Sequence, residues 1–176
     1  MLSKLLRKLK RFFYFGDDFG FALKEIMNKR ISNAEKIDLI LKASAKYFSQ
    51  YMYEDVQLAV WENYYEEFII DGKKNENIAE GYMRYETGNY MYCSVLRILD
   101  AIQELNPKNP NKICQMLLDF NKDKTYFDPA EFYTFRSDFR TEELEKAKAI
   151  VKEIEKYYKQ HTTPKVQALP SKDCLQ

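Results

Sequence analysis

Met91, Val95, Ile98, Ile102 and Leu105 step 4, 3, 4 and 3 along the chain, which sets all five on one side of a helix. Tyr92, Leu96 and Leu99 widen the stripe, so this helix must be covered on more than one side. Pro107 and Pro110 end it, and Thr87-Gly88-Asn89 reads as the break before it, with Asn89 as N-cap. A shorter helix over 76–86 precedes that break, so 77–107 reads as a helical hairpin. Helical spacing recurs on either side. Phe19, Leu23 and Ile26 mark a helix over 18–30, followed by Ser32-x-x-Glu35, a capping box opening a helix over 33–53. Val56, Ala59, Val60, Trp61, Tyr64 and Phe68 mark a helix over 55–70, and Asp71 to Asn75 reads as a loop. Ile113, Cys114 and Leu117 predict a helix over 111–122, and Asp128-Pro129 starts a short one carrying Phe132, Phe135 and Phe139. Leu144, Ala147, Val151, Ile154 and Tyr158 form a narrow seam on a last helix over 141–161.

The first fifteen residues stand apart. Leu2, Leu5, Leu6, Leu9, Phe12 and Phe13 make an apolar side, while Lys4, Arg7, Lys8, Lys10 and Arg11 fill much of the other, and there is no acid. This is the pattern of a basic amphipathic helix, which packs on its own core, lies on an anionic membrane, or docks on a protein or nucleic acid. Removing its five cations leaves 23 basic and 27 acidic residues, so the net charge of +1 conceals an asymmetry. Its counterpart is the stretch from Glu54 to Asp71, which holds six acids, no base, and the aromatics Trp61, Tyr64 and Tyr65.

The run Ala79-x-Gly81-x-x-x-Tyr85-x-x-Gly88-Asn89-Tyr90, closed by Asn106-Pro107, resembles a single tetratricopeptide-type hairpin over residues 77–107. The resemblance implies a close pair of helices with a turn at Gly88-Asn89. It departs from the family pattern at Cys93, where a smaller residue is usual, and in a longer run to Pro107.

The chain has 176 residues with five Gly and five Pro, which argues for one helical domain rather than a turn-rich β fold or disorder. No apolar run reaches the length of a transmembrane helix, and three cysteines without a CxxC read as reduced thiols. A cytoplasmic protein is expected, with peripheral membrane contact left open through residues 1–15.

One histidine, His161, at the end of the last helix removes HExxH metal sites, di-iron ExxH pairs and a Ser-His-Asp set. None of the five glycines falls in a nucleotide-binding loop. Neither catalysis nor a cofactor is expected. The reading is an all-α protein of about eight to nine helices, an orthogonal bundle or a short tetratricopeptide-like array. Residues 1–15 form the basic helix, 16–161 one domain and 162–176 a tail. Its expected role is a non-catalytic interaction module, such as an adaptor, a regulator or a small inhibitor or immunity-type protein. The expected contacts are Lys4, Arg7, Lys8, Lys10, Arg11, Phe12, Trp61, Tyr64 and Tyr65. The alternative is a nucleic-acid or anionic-membrane surface binder acting through residues 1–15.

Overall fold

The computed structural model describes residues 18–120 and 141–162. The chain is mostly helical, as the periodicity predicts. Helix α1 spans Asp18–Met27, α2 Asn33–Lys46, α3 Met52–Phe68, α4 Glu76–Leu105, α5 Lys112–Phe120 and α6 Thr141–Thr162. A π-helical turn, Tyr47–Tyr51, joins α2 to α3 without interruption. Two short strands, β1 (Ile69–Ile70) and β2 (Lys73–Lys74), lie between α3 and α4.

The expected eight to nine helices are corrected to five continuous rods among the described residues. Two junctions expected to break are bridged. One is the junction near Glu54, expected between helices over 33–53 and 55–70, which lies inside α3 just after the π turn. The other is Thr87-Gly88-Asn89, expected as the turn of a hairpin, which lies inside the 30-residue helix α4. The expected basic helix over 1–15, the short helix after Asp128 and the tail beyond Thr162 lie outside the described residues.

Gly88 takes no positive φ, so it does not turn the chain here. A glycine inside a helix costs about 1 kcal/mol relative to alanine. A Cβ at this position would stand 3.4 Å from Cδ2 of Leu144 on α6, ordinary van der Waals contact. The Thr87 hydroxyl keeps the helical course by donating to the Met83 carbonyl at 2.6 Å.

Local chemistry sets the remaining ends. The Ser32 capping box forms as expected: the Glu35 N–H donates to Ser32 Oγ at 3.3 Å, and the Ser32 N–H donates to Glu35 Oε2 at 3.0 Å. Asn75 caps α4 by accepting from the Ile78 N–H, and Asn106 closes it in the left-handed region at φ 44°, just before Pro107. Asn33 Nδ2 donates to the Leu105 carbonyl at 3.0 Å, tying the start of α2 to the end of α4. The segment read as a loop at 71–75 instead contains a two-residue turn. Asp71 and Gly72 both take positive φ, the geometry that an Asp-Gly pair supplies in a tight hairpin, and Ile69 and Ile70 pair antiparallel with Lys74 and Lys73.

Helix α4 is the axis of the fold and packs against α1, α2, α3, α5 and α6. Val95, Ile98 and Ile102, three members of its predicted stripe, are completely buried, together with Ile40 and Leu41 of α2, Val56 of α3, Leu117 of α5 and Ile154 of α6. The small sheet lies beside this core, not within it.

Candidate interaction surface

Seven large apolar side chains are exposed among the described residues, and four of them (Tyr53, Trp61, Tyr65 and Ile70) fall on α3 and the strand that follows it. Isolated exposed apolar groups are ordinary on a protein surface, but a concentration of them marks a contact region. Positions 61, 65 and 68 follow one another at helical spacing, so their rings meet. Trp61 lies edge-on to Tyr65 at 4.7 Å, and Phe68 stands 5.9 Å from each. Phe68 is buried and anchors the group, while Trp61 is 53% exposed.

Beside this cluster runs a cleft of about 940 Å³ between α3 and the first half of α4. Its walls include Tyr53, Val60, Trp61 and Phe68 on α3 and Ala79, Met83, Gly88 and Met91 on α4, with Leu144 and Lys148 of α6 at the margin. Leu144 lies against Gly88 at this edge of the cleft. The charged groups here are matched in pairs: Lys74 with Glu76 at 3.0 Å, Arg84 with Glu80 at 2.7 Å and Lys148 with Glu145 at 2.7 Å. The cleft thus offers apolar and aromatic contact with little net field.

Of the nine expected contact residues, Trp61 and Tyr65 are brought together on the outside of α3. Tyr64 is turned toward α4. It is half-buried, its ring stacks on Tyr82 at 4.1 Å, and its hydroxyl donates to Glu86 Oε1 at 2.7 Å. Lys4, Arg7, Lys8, Lys10, Arg11 and Phe12 lie outside the described residues.

Sequence reasoning missed Glu86, a buried carboxylate in the middle of α4. Its spacing of four from Tyr82 and Tyr90 was the available signal, since it places a polar stripe on one side of the helix. A second buried carboxylate, Asp55, joins Ser94 in hydrogen bonding to Tyr47 in the π turn, and burial followed by the Asp55 charge raises the Tyr47 phenol well above its usual range. These groups cross-link α3, α4 and the π turn inside the protein.

Neither described cysteine is prepared as a nucleophile. Burial, with the Glu86 charge adding to it, pushes the Cys93 thiol up to about 11, and burial raises Cys114 as well. A thiol raised by burial stays protonated near neutrality and is inert. His161 is exposed at the end of α6, stacked on Tyr157 with Nδ1 2.7 Å from the Tyr157 carbonyl. Among the described residues no group of three His, Cys, Asp or Glu side chains is arranged to hold a metal ion, and no helix is long and apolar enough to cross a membrane. No protein-family model, curated protein or solved structure matches the chain.

Proposed function

We propose that the chain is a non-catalytic protein-interaction module, an adaptor, regulator or small inhibitor that works by seating a helix of its partner in the cleft between α3 and α4. The observation that carries this reading is the cleft itself, aromatic at its rim, apolar within, and compensated in charge. Its α4 wall from Ala79 to Met91 is about 18 Å long at 1.5 Å per residue, room for some three turns of a helix. A helix laid in a groove presents residues at i, i+3, i+4 and i+7, and the unbranched side chains of Met83 and Met91 adapt to such a face. Trp61 at the rim is the type of residue that dominates interface energetics.

The test is capture of partners from the native host with the intact chain and with variants. Trp61→Ala combined with Tyr53→Ala should lose the partner at an unchanged melting temperature. Tyr85→Ala, which removes an exposed aromatic outside the cleft, should retain it. The contact should also survive moderate salt, because its charges are matched within the chain, whereas a phosphate-driven contact weakens steeply. Equal capture by both variants would show that the interface lies elsewhere.

A further inference from the structure

Two rows of side chains run along the outward side of α3. Tyr53, Gln57, Trp61 and Tyr65 follow one another at steps of four, and Glu54, Leu58, Glu62 and Glu66 form the next row. Trp61 and Tyr65 are exposed and meet edge to face at 4.7 Å, so the first row ends in a pair of open rings. Glu62 and Glu66 are exposed beside them and have no ion-pair partner among the described residues. Like charges four apart on a helix repel each other and weaken it. Among the described residues no Lys or Arg stands over either ring. The face thus joins exposed aromatic surface to negative charge that no described residue compensates.

Charge selects what can cover such a face. A second copy docked face to face would set the same carboxylates opposite these, and like charges across an interface cost affinity. Nucleic acid and anionic lipid are repelled for the same reason. A cationic segment of another protein is complementary. Arginine suits both rows at once, because its planar guanidinium stacks on an aromatic ring and its N–H groups donate to a carboxylate in pairs. Lysine brings the charge without the plane. We propose that the outer face of α3 docks an arginine-rich segment of a partner protein, with guanidinium groups lying on Trp61 and Tyr65 and donating to Glu62 and Glu66.

The spacing of the carboxylates suits ordinary peptide geometry. Residues four apart on a helix rise about 6 Å along its axis, and alternate residues of an extended chain lie about 6.6 Å apart. Glu62 and Glu66 therefore match arginines at i and i+4 of a helix or at alternate positions of a strand. Buried Phe68 stands 5.9 Å from each exposed ring and backs the pair. An individual exposed ion pair contributes little, and it is stacking and pairing by the same guanidinium that gives the contact its strength. Glu62, Tyr65 and Glu66 do not line the cleft, whose nearby charges are matched within the chain. Docking here is therefore independent of any helix seated between α3 and α4.

Trp61 is the only tryptophan in the chain, so intrinsic fluorescence reports on this face. The probe is a short synthetic peptide of alternating arginine and alanine, titrated into the full chain at low salt. It should change the emission saturably, and the same peptide with lysine for arginine should bind several-fold more weakly. Glu62→Gln with Glu66→Gln should weaken binding of the arginine peptide by about tenfold, the order expected for lost charge-assisted pairs, with far-UV circular dichroism unchanged. Glu25→Gln with Glu104→Gln removes two exposed carboxylates from α1 and the end of α4, alters the net charge equally, and should leave binding nearly intact. Equal weakening in the two variants would reduce the contact to general charge attraction and overturn the proposal. Equal affinity for the two peptides, or emission that the arginine peptide leaves unaltered, would overturn it too. Emission of the free chain that changes on dilution would assign the face to a second copy, and an indole shielded from acrylamide in the free chain would show the face covered from within. Either result overturns the proposal.

Discussion

The two halves of α4 differ in what surrounds them. From Tyr90 to Leu105 the helix contributes Tyr92, Ser94, Val95, Ile98, Leu99, Ala101, Ile102 and Leu105 to the buried interior. From Glu76 to Asn89 it contributes only Ala79 and Glu86. One half is enclosed, while the other forms the wall of an open cleft. A single rod thus passes from the buried core to an open cleft wall within one helix. A surface built on a packed helix loses little conformational freedom when a partner binds, which favours affinity.

The largest test of this contrast falls in the enclosed half. Ile98→Ala removes a completely buried side chain and should destabilise the fold by about 2–5 kcal/mol, read by chemical denaturation. A loss as small as that of a surface substitution would mean that this half is not the core.

The junction between the halves gives an intermediate effect. Cys93 holds its proton up to about 11 in the folded chain, against an ordinary value of 9.0. Its folded pKa is raised, so its contribution is fully present below the unfolded value and is lost as pH rises through the folded one. Stability should therefore fall between pH 9 and 11, by an amount on the order of 2 kcal/mol. Cys93→Ala should flatten that part of the profile, and a profile unaltered by the substitution would exclude the thiol as its source.

The smallest effect belongs to the open side. Trp61→Ala should change stability by no more than about 0.5 kcal/mol, as expected for an exposed position, while removing partner capture. A large loss of stability would show that the aromatic cluster serves the fold.

What could be read from the sequence follows the range of the interactions. The stripe Val95, Ile98, Ile102 and the Ser32–Glu35 cap rest on neighbours within a turn or two, and local spacing suffices to find them. Gly88 faces Leu144, 56 residues away, and no local rule for glycine contains that contact. The sequence reads as helix through Tyr47–Tyr51, as it is, but the break expected near Glu54 falls inside α3, where no proline or glycine interrupts the winding. The Asp-Gly pair at 71–72 is, by contrast, a local hairpin signal, and the two-residue turn it makes lies inside the segment that reads as a loop. Trp61 and Tyr65, which the sequence sets on an acidic, aromatic helix, are exposed on α3. The orientation of Tyr64 follows from Glu86, on a different helix.

The π turn at Tyr47–Tyr51 has a consequence for how this protein can evolve. Such a turn accommodates one residue more than regular α-helix allows, and each residue added to or removed from an α-helix rotates everything downstream by about 100°. Deleting a single residue there would restore regular winding and swing the far end of the rod like a key in a lock, carrying the indole ring from one flank toward another. An exchange at one of those five positions acts where its side chain stands, whereas a change in their number re-aims the whole aromatic face.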